Sequence, residues 1–321
     1  LENKVGQIVV DNFAELKLLQ QLAAAYKVVV PVMLRLTPDV LPQTHQYIQT
    51  GQLDSKFGFP LTENLAFKAV KEIANSAFFS FKGVHVHIGS QIKVLSAYRA
   101  ATQTAFKFLA LLKKELNIEA AKLNLGGGLG IKYQANEAEP SVKELAQTIL
   151  NTVKEEAKKH SLTYPEIVVE PGRSIVGQAG VTLYRVGALK NIPGIRSYVL
   201  VDGGMSDNLR PMLYGAKYEA LVANKADLPL EEVVTIAGKH CESGDILIKD
   251  IKLPKIEVGD LICVLVTGAY GYVLANNYNL QPRPGVVLVA NGQAKVLIER
   301  ESWPDLIKLH QLQLEENWQR V

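Results

Sequence analysis

Residues 122–130 read KLNLGGGLG, a short apolar run that stops abruptly in three consecutive glycines. The run is too short for a helix and reads as a buried strand, so the glycines mark a tight strand-to-helix turn. The same grammar recurs at VGQIVV (5–10), VVVPVMLRL (28–36), GVHVHIG (83–89) and EIVVEPG (166–172). Amphipathic stretches separate these runs: NFAELKLLQQLAAAY (12–26), TENLAFKAVKEIANS (62–76), AYRAATQTAFKFLALLKKEL (97–116) and VKELAQTILNTVKEEAKKH (142–160). Near-continuous apolar strands alternating with helices predict a parallel sheet covered by helices.

Two α/β architectures use that pattern. An open doubly wound sheet needs no more than the five units counted here. A closed barrel needs eight, over about 250 residues. The placement of the unusual side chains decides between them, because a barrel gathers its chemistry at the carboxyl ends of its strands. Arg35 ends the second run, and His87, Gly89 and Ser90 end the third. Gly126, Gly127 and Gly128 end the fourth, and Glu170 with Arg173 ends the fifth. Four successive strand ends carrying a charge, an imidazole or a glycine turn favour the barrel.

The second half changes character. VTLYRVGALK, SYVLVDG, EVVTIAG, DILIKDIKL, DLICVLVTG and VVLVANGQAKVLIER are strands separated by turn residues, without a long helix between them. The expected architecture is therefore α/β plus β: an incomplete (β/α)8 barrel of TIM type over residues 1–178, then an antiparallel β domain over 179–321.

Composition excludes several classes of function. Thirty-five basic and 32 acidic side chains leave a net charge of +3 with no basic block, which argues against a nucleic-acid surface. No segment is apolar for long enough to cross a membrane as a helix. Cys241 and Cys263 form neither a metal spacing nor a disulfide framework, and neither a signal nor a transit peptide is evident. A cytoplasmic, globular protein of about two domains is expected.

Taken singly, each strand-end residue has a bland reading. LNLGGGLG could be only a turn, or it could offer backbone N–H groups to a phosphate; it lacks the lysine of a P-loop. His85 and His87 alternate along a strand, so one of them is expected to face the barrel mouth and His85 to be a satisfied structural histidine. Glu170 could be a simple ion-pair partner of Arg173. Cys263, inside LICVLV, reads as a small core residue. The string GKHCESGD (238–245) is less easily explained, since it sets a thiol beside a carboxylate in a loop.

Read together, HVHIGSQI (85–92), LNLGGGLG (123–130), VEPGRSIVG (169–177), VDGGMSDNLRPMLY (201–214), GKHCESGD (238–245) and VTGAYGY (266–272) stand in a telling order. With MLRLTP and THQYIQTGQLDSKFGF nearer the start, they resemble the alanine-racemase-fold (fold type III) pyridoxal-phosphate decarboxylases across essentially the whole chain. The likeness is closest to the branch that makes L-lysine from meso-2,6-diaminopimelate, the last step of lysine biosynthesis.

The resemblance implies roles residue by residue. Glu170 would pair with the pyridine nitrogen of pyridoxal 5'-phosphate and keep it protonated. His87 would stack on the ring. Ser90, the Gly126–Gly128 backbone and Arg173 would hold the phosphate, joined by Tyr270, while Pro171 and Gly172 complete the turn between Glu170 and Arg173. Arg35 would support the ring. Arg210, Tyr214 and Arg173 would meet the distal carboxylate of the substrate, with Tyr270 alongside, a task suited to a forked guanidinium. Cys241 would protonate the substrate carbon after carbon dioxide leaves, and Glu242 would bind the distal ammonium. A nearby carboxylate is expected to keep a thiol protonated, as a proton donor needs. Active sites in this family are shared between two subunits, which implies a homodimer. An arginine-tyrosine pair in RPMLY favours diaminopimelate over ornithine or arginine.

One element of the family pattern is missing. The Schiff-base lysine lies in a string like YAxKAN ahead of the stretch that matches Val5–Asn12, and no such string occurs in residues 1–321. Lys56 matches a different lysine of the family. Five units against eight, and Leu1 as the first residue, lead to the expectation that roughly three units precede this segment. On this reading residues 1–321 are inactive alone. Two alternatives stand beside it: a homologue that has lost catalysis, and a related ornithine- or arginine-type decarboxylase.

Overall fold

The computed structural model describes residues 1–40 and 55–310. The stretch 44–54 of the THQYIQTGQLDSKFGF string lies outside them. The chain divides into two compact units, Leu1–Ile175 and Val176–Val321.

In the first unit the elements run β1 (Ile8–Val10), α1 (Phe13–Tyr26), β2 (Val30–Thr37), β3 (Phe59–Pro60), α2 (Leu65–Asn75) and β4 (Phe79–Val86). They continue as α3 (Ser96–Leu116), β5 (Lys122–Asn124), α4 (Val142–His160), β6 (Glu166–Val168) and α5 (Gly172–Val176). The sheet order is β1-β2-β4-β5-β6, with β3 beside the end of β2, and every pair is parallel. Apart from the two-residue β3, consecutive strands are neighbours, the order of a barrel wall and not of a doubly wound sheet that reverses direction. Val32, Met33 and Leu34 are fully buried in succession, as expected for a strand covered on both faces.

The helices start and stop where their sequences direct. Asn12 caps α1 by accepting from the Glu15 amide at 2.9 Å. Ser141 and Glu144 close a capping box on α4, whose last turn carries Lys158, Lys159 and His160 at the negative end of the helix dipole. Helix α2 buries Ala66, Ala69, Val70 and Ile73, the i, i+3, i+4, i+7 stripe of an amphipathic helix.

One glycine fixes how closely β4 and β5 approach. An extra residue bulges from β4, where Val32 pairs with Phe81 but Met33 pairs with Gly83. Gly83 sits at φ +150°, and a Cβ there would lie 1.8 Å from the Lys122 carbonyl oxygen. Gly83→Ala is therefore expected to destabilise the protein by about 3 kcal/mol, read as a lower denaturation midpoint. An unchanged midpoint would show that the strands separate at no cost.

The second unit contains β7 (Thr182–Ile192), β8 (Arg196–Val201), α6 (Arg210–Tyr214), β9 (Ala220–Val222), β10 (Glu232–Ala237), β11 (Ile246–Leu253) and β12 (Leu261–Val264). It ends with β13 (Val286–Ala290), β14 (Gln293–Ile298) and α7 (Trp303–Ile307). The main sheet, β11-β10-β8-β7-β12-β9, is antiparallel at every pair but one. Strands β8 and β10 run parallel, because the chain between them crosses over through α6 instead of turning back directly. The run read as VVLVANGQAKVLIER is a hairpin, not one strand. Asn291 and Gly292 both take positive φ (51° and 72°), which suits a two-residue hairpin turn. Cys263 is buried within β12, and its burial raises the thiol pKa.

Candidate active site

At the carboxyl edge of the parallel sheet, polar side chains line up in a row. Arg35 of β2 is paired in register with His85 of β4, and His85 with Asn124 of β5. In-register residues of parallel strands share a face, so these three project together. The turns that follow add His87 and Ser90 after β4, Gly126–Gly128 after β5, and Glu170 and Arg173 after β6.

Glu170 is the centre of this group, with its side chain 48% exposed. Its Oε1 accepts from the Asn124 amide at 2.8 Å and lies 3.4 Å from His85 Nε2. It is not the simple partner of Arg173. The Arg173 guanidinium, itself buried, donates to Ser90 Oγ at 3.0 Å and to the Tyr133 hydroxyl. Cation and hydroxyl are thus brought together at one corner of the site, a pairing that suits a phosphate.

The reading of His85 as a satisfied core histidine needs correction. Its Nε2 faces the carboxylate, while its buried Nδ1 has no hydrogen-bond partner among the described residues. Burial, outweighing the attraction of Glu170 and reinforced by Arg35 and His87, brings its pKa down to about 4. The ring is therefore neutral at pH 7. Facing a carboxylate, a neutral ring donates from Nε2, which leaves Nδ1 as the bare nitrogen. His87 is also held neutral, by burial first and then by the Arg35 charge. Both histidines lie within electrostatic range of Glu170, which corrects the expectation that only one would face the site: residues two apart on a strand share a face.

The glycine turn is packed against these groups. The Gly126 amide donates to Asn124 Oδ1 at 2.8 Å, and the Gly127 amide to His87 Nδ1 at 3.2 Å. A Cβ on Gly127 would lie 2.1 Å from the Glu170 carbonyl oxygen. The buried Tyr98 hydroxyl donates to the Gly127 carbonyl at 2.9 Å and pins the turn from α3. Two of the amides expected to bind phosphate are thus already engaged with Asn124 and His87. Arg35 donates to Asp11 Oδ1 at 3.1 Å and stacks over Phe57, 4.4 Å from the ring centroid. The Lys56 ammonium lies over the same ring at 5.1 Å.

In the second unit, the GKHCESGD loop is fastened by its last residue. Asp245 is 2% exposed; its carboxylate accepts from the Met205 amide at 2.7 Å and from the His240 amide at 2.9 Å. This clamp leaves Cys241 and Glu242 exposed at the tip. The Tyr278 hydroxyl donates to Glu242, which raises the phenol pKa, and Asn279 Nδ2 lies 3.7 Å from Cys241 Sγ. His240 meets Ser206 Oγ at 2.9 Å.

The expected substrate residues are placed differently from one another. Arg210, at the start of α6, is only 4% exposed and donates to the Tyr218 hydroxyl. Tyr214 ends the same helix and is half-buried. Tyr270 is 48% exposed with a positive φ of 61°. Asn124, Asp245 and Tyr278 were not singled out from sequence. A polar residue inside an apolar strand, as in KLNL, was the available signal for the first.

The chain is similar to known proteins over most of its length. The family model described as pyridoxal-dependent decarboxylase, pyridoxal binding domain, matches residues 1–177. The diaminopimelate decarboxylase of Bacillus subtilis (strain 168) is 48% identical over 96% of this chain and 70% of its own length. A crystal structure of diaminopimelate decarboxylase from M. jannaschii in complex with L-lysine superposes with a TM-score of 0.87 at 38% identity. It covers 95% of this chain and 69% of that one. The Helicobacter pylori enzyme with L-lysine gives a TM-score of 0.87 at 32% identity, over 96% and 74% of the two chains.

Proposed function

The chain belongs to the pyridoxal-dependent decarboxylases, and from that premise we propose that it converts meso-2,6-diaminopimelate to L-lysine and carbon dioxide. It is a carboxy-lyase of lysine biosynthesis that uses pyridoxal 5'-phosphate and acts on a small molecule. The observation that carries this reading is the placement of Glu170. A carboxylate with one oxygen anchored stands at a strand end, and a buried arginine bonded to a half-buried serine follows in the same row of strand ends.

These residues suit the cofactor. A turn too tight for any Cβ at Gly127, a guanidinium joined to a hydroxyl, and a partly exposed carboxylate match its phosphate at one end and its pyridine nitrogen at the other. When bound, the cofactor supplies an electron sink for the charge left on the substrate carbon as carbon dioxide departs. Glu170 holds a proton on the ring nitrogen. Ser90, Arg173 and the Gly128 end of the glycine turn would bind the phosphate, and Pro171 and Gly172 set the spacing between Glu170 and Arg173. His87, held neutral, would meet the ring face without competing for charge, and Arg35, fastened to Asp11, would support the ring.

Cys241 delivers a proton to the substrate carbon, and Glu242 meets the distal ammonium. Tyr278 and Asn279 keep these two groups oriented. Arg210 and Tyr214 recognise the distal carboxylate; Arg210 does so by exchanging its bond to Tyr218 for one to substrate. Cys241 and Glu242 of one subunit serve the cofactor of the other, so the working form is a homodimer. Among the described residues no helix is long and apolar enough to cross a membrane. Two free thiols fit a reducing cytoplasm as the place of action.

The test is a product assay on protein that includes the family's Schiff-base lysine, which residues 1–321 do not carry, loaded with pyridoxal phosphate. Lysine and carbon dioxide should form in equal amounts from meso-diaminopimelate, with ornithine and arginine left unchanged. Absence of lysine with cofactor bound contradicts the reading. Arg210→Ala is expected to raise KM for diaminopimelate about 100-fold with kcat little altered, because a forked ion pair to the carboxylate is lost. An unchanged KM removes Arg210 from substrate recognition.

A further inference from the structure

Three hydrogen bonds form a closed circuit around Glu170. Its backbone amide donates to the Gly126 carbonyl at 2.8 Å. The Gly126 amide donates to Asn124 Oδ1 at 2.8 Å, and Asn124 Nδ2 donates back to Glu170 Oε1 at 2.8 Å. Asn124 is 3% exposed, and its position in register beside His85 brings His85 Nε2 to within 3.4 Å of the same oxygen. Oε2 of Glu170 has no partner among the described residues.

We propose that Asn124 is a positioning residue for the decarboxylation, which with His85 fixes Oε1 of Glu170 and so aims Oε2 at the cofactor's ring nitrogen. The proposal rests on the reading of Glu170 given above. An amide suits this place, because it carries a donor and an acceptor on separate atoms without a charge of its own. The circuit requires a donor toward the carboxylate and an acceptor toward the glycine amide on one short side chain. The same residue therefore ties the glycine turn to the carboxylate, so that the two ends of the cofactor are located by one rigid unit. Misplacing a reacting group by about 1 Å can cost on the order of 100-fold in rate.

Asn124→Asp tests this with little change of shape. It retains an acceptor for Gly126 but sets a second carboxylate against Glu170, and one of the two must take a proton. The proposal expects kcat to fall about 10–100-fold with KM held within about threefold. It also expects the 15N resonance of ring-labelled cofactor to move toward its unprotonated position, which a merely structural role would not cause. Asn124→Ala should reproduce both changes. Wild-type kcat and resonance in both variants would overturn the proposal. Should neither variant fold, His85→Phe decides, since it removes one support and leaves the Gly126 bond intact: an unmoved resonance overturns the proposal. Glu170→Gln is run in parallel. If it too leaves kcat and resonance unchanged, the reading of Glu170 is what has failed; if it alone alters them, only the role of Asn124 and His85 has.

Discussion

Replacing Glu170 by glutamine is expected to lower kcat by roughly 100–1000-fold while leaving the fold and the melting temperature close to wild type. Glutamine matches glutamate in shape and retains an oxygen for the Asn124 amide to meet at its present 2.8 Å position. What it lacks is the negative charge that stabilises a proton on the ring nitrogen, so the electron sink weakens while binding of the phosphate persists. Steady-state release of carbon dioxide, together with a cofactor titration, separates the two effects. A variant that binds cofactor normally yet turns over slowly is the expected outcome. Turnover equal to wild type would leave the carboxylate without a catalytic role.

Cys241→Ala is expected to act at the other end of the reaction. Losing a positioned general acid costs typically 10²–10⁴-fold. Because Cys241 is exposed on a loop clamped by the buried Asp245, its removal should leave stability unaltered. In heavy water, the residual product should carry deuterium at the reacting carbon with its configuration scrambled, since bulk solvent then supplies the proton from either side. Wild-type rate and intact configuration would remove Cys241 from the chemistry. The proposed sharing of sites between two subunits adds a second readout. Mixing Cys241→Ala with Glu170→Gln chains should restore up to about a quarter of the wild-type activity, because half of a random mixture is mixed dimers with one intact site each. No recovery after confirmed exchange of subunits argues that each subunit works with its own residues.

Much of the fold was legible because its signals are local. Apolar runs and amphipathic stretches located the sheet and helices of the first unit, with ends shifted by a few residues: GVHVHIG begins four residues after β4 starts at Phe79. Glu170, Arg173, Ser90 and the glycine turn stood out because strand ends are where such residues gather. The β domain was less legible. Nothing local distinguishes the parallel pairing of β8 with β10 from an antiparallel one, and VVLVANGQAKVLIER shows its hairpin only through the Asn291–Gly292 pair.

The supports of the site were missed for a related reason. Asn124 and Glu170 are 46 positions apart, and Tyr278 and Glu242 are 36 apart. Each looks ordinary until the fold brings its partner near. Arg210 shows the reverse. Its residue type pointed to substrate, yet the side chain is buried against Tyr218, a contact no spacing rule contains.

The protonation state of the ring nitrogen tests the account most directly. With 15N-labelled pyridoxal phosphate bound to the full chain at pH 7, the pyridine resonance should lie at the protonated position and leave it in Glu170→Gln. A ring nitrogen unprotonated in the wild type, or equally protonated in both, would contradict the assignment of Glu170 on which the proposed chemistry depends.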